Sequence, residues 1–172
     1  MIVDAGAPGR TPYVAVCGPD PASETVAAQA ESIGHALARG GAVVVCGGLG
    51  GAMEAAAAGA AAEGGVVVGV LPGTDRSAAN RHVTVALPTG MGEMRNALIV
   101  RAADAVIAVA GEFGTLSEIA LALKAGKPVV GLGTWELVRG GGERADEIVR
   151  ASTPEEAVAT ALRLASRTRQ DT

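Results

Sequence analysis

The stretch AVIAVAGEFGTLSEIALALKAGKPVVGL, Ala105 to Leu132, decides the fold. It opens with a run of small and branched apolar residues, Ala105–Ala110, of the kind that suits a strand covered on both faces. Gly111 and Gly114 then mark a turn. From Gly114 to Ala125 the residues Leu116, Ile119, Ala120 and Leu123 recur at helical spacing, and Gly126 and Pro128 end the pattern. A second apolar run follows at Pro128–Leu132. Strand, helix and strand in such short order predict a βαβ unit with its two strands parallel.

The same alternation extends in both directions. Further strand candidates are Tyr13–Cys17, Ala42–Cys46, Val66–Leu71, His82–Leu87 and, with a weaker pattern, Glu147–Ala151. His82–Leu87 alternates polar and apolar residues, which suits an edge. Helical patterns cover Ser23–Arg39 (Val26, Ala30, Ile33, Leu37), Ala52–Glu63 and Gly90–Asp104, where Met91, Met94, Leu98 and Ala102 form the stripe expected to face the core. Thr153-Pro154-Glu155-Glu156 reads as a capping box opening a last helix. Residues 133–146 form a long connection. The reading is α/β: a Rossmann-like, doubly wound, mostly parallel sheet of six to seven strands with helices on both faces. One domain is expected over 1–172, with 1–11 and 168–172 as flexible ends.

Composition narrows the function. With 172 residues, 49% of them hydrophobic, the chain can bury a real core and is not disordered. Fourteen basic against eighteen acidic residues, a net charge of −4, argue against non-specific nucleic-acid binding. The single Trp, Tyr and Phe leave little surface for stacking successive bases. The N-terminus lacks a signal-peptide pattern and the apolar runs are too short to span a bilayer, so a cytoplasmic protein without membrane attachment is expected. Cys17 and Cys46 fit free buried thiols better than a bridge. His35 and His82 have no partners at metal-ligand spacing, so no metal site is expected.

Three loops carry glycines where open parallel sheets bind ligands, beyond the carboxyl ends of the strands. They are Cys17-Gly18-Pro19-Asp20, Gly47-Gly48-Leu49-Gly50-Gly51 and Gly111-Glu112-Phe113-Gly114-Thr115. The last two run into helix N-termini, whose free amides suit an anion, although tight turns alone also select glycine. No Gly-Lys-Ser/Thr follows, so none is a P-loop, and no acidic residue closes the next strand as a dinucleotide site requires. Thr115 and Glu118 share a helix face, and Arg95 begins the preceding helix at the same edge. A phosphate could sit on Thr115 and the amides with Arg95 gripping it. A helix cap at Thr115 with an Arg95–Glu118 salt bridge is the plainer alternative.

Arg95, Gly111-x-x-Gly114-Thr115-x-x-Glu118 and Gly47-Gly48-x-Gly50-Gly51-x-Met53-Glu54 together resemble the LOG ("lonely guy") family, once labelled lysine decarboxylases, from about Tyr13 to Leu132. TGMGEMRN and GTLSEIALALKAGKPVVGL look closest to the branch of that superfamily containing the molybdenum-cofactor carrier proteins. The resemblance implies a catalytic arginine at Arg95, a catalytic glutamate at Glu118 and a phosphate loop at Gly111, Gly114 and Thr115. Gly18, Gly47, Gly48, Gly50, Gly51 and Asn96 complete the expected ligand contacts. Ala110 and Glu112 depart from the family's Pro-Gly-Gly pattern, and Asn96 replaces the lysine of cytokinin-activating members. A carboxylate at Glu112 about 6 Å from a phosphate costs roughly 3 kcal/mol at an effective dielectric near 20, so it must point away or be paired if the loop holds one.

The implied activity is hydrolysis of the N-glycosidic bond of a nucleoside 5′-monophosphate, with no required cofactor. The alternative is a carrier that binds the molybdenum cofactor or another pterin or nucleotide without turnover. DNA handling in the manner of the distantly related DprA proteins is a third reading, disfavoured by the charge. Lysine decarboxylation is rejected, because Lys124 and Lys127, the only lysines, close a helix about 15 Å from the ligand edge. The resemblance also implies a homodimer or higher homo-oligomer. Asp20, Glu54 and Asn80 are secondary candidates. Phe113 could pack on a base but is expected instead to seal its loop onto the core, and Trp135, in the long connection, is read as marking an interface.

Overall fold

The computed structural model describes residues 11–144 and 147–168. Its strands are β1 (Tyr13–Cys17), β2 (Val43–Cys46), β3 (Val67–Leu71), β4 (Val85–Pro88), β5 (Ala105–Val109), β6 (Val129–Leu132) and β7 (Val149–Ala151). The α-helices are α1 (Glu24–Arg39), α2 (Gly51–Ala62), α3 (Asn96–Ala102), α4 (Phe113–Lys124) and α5 (Pro154–Thr168). One seven-stranded sheet runs in the order β4-β3-β2-β1-β5-β6-β7, every neighbouring pair parallel. This is the expected Rossmann-like α/β architecture, with β4 at an edge. Of the segments expected to be flexible ends, all but Thr11 and Thr168 lie outside the described residues, and Thr168 closes α5.

The central strands are apolar on both faces because both are covered. Val14, Val16, Val44 and Ile107 pack beneath α1, α2 and α5, against Ile33, Leu37, Ala56 and Ala161. Ala15, Val45 and Val106 pack beneath α3 and α4, against Ile99, Val100, Ile119 and Ala122. Alternation along each strand divides these sets. It also separates the two cysteines: Cys17 lies in the second set and Cys46 in the first, on opposite faces of adjacent strands. Both are free thiols.

Local chemistry sets the helix ends. Ser23 caps α1 by accepting from the Val26 amide at 3.3 Å. The alanines of α2 bring it close to α1, and a Cβ on Gly34 or Gly59 would strike the other helix's backbone carbonyls. Ser152, Thr153 and Glu156 form the expected capping box, with Ser152's amide donating to Glu156 at 2.8 Å and Glu156's amide to Thr153 Oγ1 at 3.2 Å.

The segment Gly90–Asp104 departs from the expected single helix. Gly90 and Gly92 have φ of +66° and +56°, values an α-helix does not accommodate, so the chain makes a 3₁₀ turn over Gly92–Arg95 before α3 begins. Its buried face is Arg95, Ile99 and Val100, while Met91, Met94 and Leu98 are exposed. The methionine stripe therefore does not face the core. Helix α4 differs in the same sense, burying Thr115, Glu118, Ile119 and Ala122 while Ala120 stays exposed. Each stripe chosen by hydrophobicity is one residue, or about 100°, from the face the fold buries.

The sheet order places a topological switch between β1 and β5. From β1 the chain proceeds outward through β2, β3 and β4; from β5 it proceeds the other way through β6 and β7. The loops leaving β1 and β5 diverge there and leave a crevice at the carboxyl edge.

Candidate functional site

That crevice is a cavity of about 430 Å³, a size suited to a small ligand. Gly18, Arg95, Asn96, Gly114, Thr115 and Glu118 line it, so the structure brings these six expected residues together. Asp20, Glu112 and Phe113 also line it; Glu54 and Asn80 do not.

Arg95 is 8% exposed, yet its Nε and Nη1 have no hydrogen-bond partner. Thr115 is 2% exposed and its Oγ1 is also unpartnered. Neither the Arg95–Glu118 salt bridge nor a side-chain cap by Thr115 forms: α4 has no side-chain cap bond at all. The amides of its first turn and the two orphaned side chains all border the same space. Buried donors without acceptors are costly and rare, so this concentration marks a place prepared for an acceptor from outside the chain.

Gly114 adds a steric observation. A Cβ there would meet nothing within 4 Å, and its φ lies outside the left-handed region. The fold itself gives no reason for glycine, whereas close approach of a ligand to the α4 amides does. The other expected glycines serve the chain. A Cβ on Gly47 would collide with the Arg95 guanidinium, so Gly47 makes the seat in which Arg95 lies. Gly48 packs against Leu71 and Gly69, Gly50 faces the Asp20 carboxylate, Gly51 lies against Pro19, and Gly111 abuts Thr115. None of these five lines the cavity. The Gly47–Gly51 loop is thus a mount for Arg95, and Asp20 already occupies the approach to its helix.

Electrostatics separate the charged groups. Burial drives the Glu118 carboxyl up to about 7, with the Cys17 thiol and Arg95 opposing the rise. Burial also lowers the Arg95 guanidinium from its ordinary value, partly offset by Glu118 and the two cysteines. The Cys17 thiol is raised well above its ordinary value and Cys46 to about 11, chiefly by burial, so both stay protonated at neutral pH. Glu112 is exposed and unpaired. Solvent screening at a dielectric near 80 reduces its repulsion of a phosphate about 6 Å away to about 0.7 kcal/mol.

The loop after β5 differs from the family pattern for a reason visible in the backbone. Ala110 has φ +48° and its amide donates to Leu132 O at 2.9 Å. Proline permits neither. Asn96 donates to Ser117 Oγ at 2.9 Å, and Ser117 in turn donates to Gly114 O at 2.8 Å, fixing the first turn of α4 against α3. Asn80 is structural: its side chain donates to Leu49 O at 2.8 Å and accepts from the His82 amide at 3.1 Å. Phe113 does not seal the loop onto the core. It is 76% exposed at the cavity rim, beside Trp135. Sequence reasoning passed over Ser117 and Glu93; the four-residue spacing of Ser117 from Phe113 was the available signal for the former, and Glu93 carried none.

The fold is thus a Rossmann-like α/β sheet with a cavity at its switch point, bordered by unpartnered buried donors. The chain belongs to the SLOG cluster4 family, which it matches over residues 11–158. An uncharacterized protein of Archaeoglobus fulgidus is 41% identical over 145 residues, 84% of this chain and 91% of that one. The molybdenum cofactor binding protein of the phototrophic bacterium Rippkaea orientalis superposes with a TM-score of 0.82 at 34% identity, over 90% of this chain and 98% of that one. The molybdenum cofactor carrier protein of Chlamydomonas reinhardtii gives 0.78 at 32%, with the same coverage. DNA processing protein A of Helicobacter pylori, studied for single-stranded DNA binding, shares the fold alone, at 20% identity and a TM-score of 0.67 over 89% of this chain and 81% of that one. Among the described residues no helix is long and apolar enough to cross a membrane, and no group of His, Cys, Asp or Glu is arranged to hold a metal.

Proposed function

We propose that this chain binds and carries a phosphorylated heterocycle, the pterin of the molybdenum cofactor or a nucleoside 5′-monophosphate, in the β1/β5 cavity. The observation that carries the proposal is Arg95: a buried guanidinium with two nitrogens unpartnered beside the open amides of α4. The phosphate sits on the amides of Gly114 and Thr115, with the Thr115 hydroxyl and Arg95 as donors. Likeness to two molybdenum cofactor proteins at above 30% identity supports the carrier form. The acidic balance supports a small ligand over nucleic acid, and exposed Met94 and Leu98 support pairing with a second copy, which sedimentation would test.

Hydrolysis is the second reading, and Glu118 favours it. A carboxyl held near 7 inside the cavity is available as base or acid at neutral pH. Its charged form would stabilise oxocarbenium character on a ribose while Arg95 holds the phosphate. Incubation with a panel of nucleoside monophosphates, followed by chromatography, separates the two. Retention of intact ligand supports the carrier, and free base supports the hydrolase. Arg95→Met is expected to abolish retention; undiminished retention in that variant refutes the phosphate seat.

A further inference from the structure

Two of the three aromatic residues of the chain meet at the rim of the cavity. Phe113 and Trp135 have ring centroids 5.8 Å apart at an interplanar angle of 38°. Trp135 is half-buried, packed on the core beneath α4, and its Nε1 donates to Glu112 O at 3.3 Å. It is fixed from behind. Phe113, the first residue of α4, rests on it and is 76% exposed. Burying a phenylalanine ring is worth about 1.5–3 kcal/mol, so a fold that backs this ring but leaves it uncovered forgoes that stabilisation.

We infer that Phe113, backed by Trp135, is a stacking platform for the planar ring of the ligand. The inference rests on the phosphate seat proposed above and specifies what the rest of the ligand must be: a flat heterocycle, not a bare sugar phosphate. The two subsites are adjacent, since Phe113 precedes Gly114 and lines the same cavity. The orphaned donors of Arg95 and Thr115 anchor the phosphate, and the ring then lies over an aromatic face at the mouth. Ring-on-ring stacking is tolerant of sequence and substituent, which suits a site for either a purine or a pterin.

The test is calorimetry of the full chain with guanosine 5′-monophosphate and ribose 5-phosphate, with fluorescence of Trp135, the sole tryptophan, followed in parallel. The nucleotide is expected to bind about tenfold more tightly and to change the emission, whereas ribose 5-phosphate leaves it unaltered. Phe113→Leu is expected to erase the tenfold advantage while ribose 5-phosphate affinity holds, and Phe113→Tyr to retain it. Equal affinities, or an advantage that survives Phe113→Leu, overturn the platform and leave the phosphate seat intact. Failure of both probes to bind overturns the seat and the platform with it. Loss of self-association in Phe113→Leu, with the ring preference unchanged, assigns the ring to a second copy of the chain and also overturns the inference.

Discussion

Replacing Glu118 by Gln is expected to make the protein more stable at pH 8, and by an amount set by its burial. Glu118 is 8% exposed, and its pKa is pushed from an ordinary 4.5 to about 7. Between those values the folded chain binds a proton that the unfolded chain has released, so stability falls as pH rises through this window. Each pKa unit corresponds to about 1.4 kcal/mol, so the fully charged carboxylate costs the fold about 3 kcal/mol above pH 7. Glutamine has the shape of the protonated acid and no charge to desolvate. Urea denaturation of both proteins at pH 5, 6, 7 and 8, in phosphate- and sulfate-free buffer, measures the difference. The curves should nearly coincide at the acid end and diverge by about 3 kcal/mol at pH 8, with equal m-values. Titrating groups remote from Glu118 cancel in the comparison, leaving only those coupled to it, Arg95, Cys17 and Cys46. Parallel curves, or a variant less stable than the parent at pH 8, would refute the claim that Glu118 is held charged at a cost.

The same charge should oppose an anion in the cavity. At a separation on the order of 8 Å and an effective dielectric near 20 the repulsion is roughly 2 kcal/mol per unit of anion charge, so sulfate should bind more tightly at pH 6 than at pH 8, and calorimetry on the Glu118→Gln variant should show no such pH dependence. Gly114→Ala should leave the thermal midpoint of the free protein unchanged or slightly raised, because its Cβ meets no protein atom, while weakening nucleotide binding by at least tenfold; unchanged binding by calorimetry would place the ligand elsewhere. Ala110→Gly should stabilise the chain by about 1 kcal/mol by relieving a left-handed alanine, and Ala110→Pro should destabilise it severely, both read by urea denaturation.

The parallel sheet, its cover of helices on both faces and the edge position of β4 were legible because they follow from period and composition. Val43–Cys46 and Ala105–Val109 are apolar throughout, and such strands are stable only when covered on both sides. The helix faces at the site were not legible by the same rule. Hydrophobicity selects Met91, Met94 and Leu98 on one helix and Leu116, Ile119, Ala120 and Leu123 on the other. The fold instead turns Arg95 and Ile99, Thr115 and Glu118 inward. A periodicity argument assigns polar residues to solvent, so it misplaces a helix whose buried face ends in a polar site. The glycine-rich loop at Gly47–Gly51 misled for a related reason. Its pattern resembles an anion cradle, but Asp20 lies at Gly50 and Arg95 rests on Gly47, contacts between segments far apart in sequence.

Arg95 and Glu118 carry opposite charges, are both buried and line one cavity, yet they do not pair. A direct ion pair would relieve both, since breaking such a pair by leaving each charge alone is costly. A structure selected for stability alone would close that gap or replace both residues with apolar ones. Gly47 gives the guanidinium its seat and Asn96 with Ser117 fixes the first turn of α4, and with each group so placed no ion pair forms. Separation has a use only if something enters between them. A ligand phosphate would supply the acceptor that Arg95 and Thr115 lack, and its charge would push the Glu118 pKa higher still, towards the neutral acid. Binding would then satisfy the orphaned Arg95 and Thr115 donors, while the carboxyl takes up a proton instead of standing as a second anion beside the phosphate. On this argument the ligand-dependent gain in stability, taken relative to Glu118→Gln, should be smaller at pH 8 than at pH 6, because binding takes up a proton at the carboxyl, an uptake that calorimetry in buffers of different ionisation enthalpy counts directly. No uptake at pH 8 would mean that Glu118 keeps its charge beside the ligand, and would refute the coupling between carboxyl and phosphate.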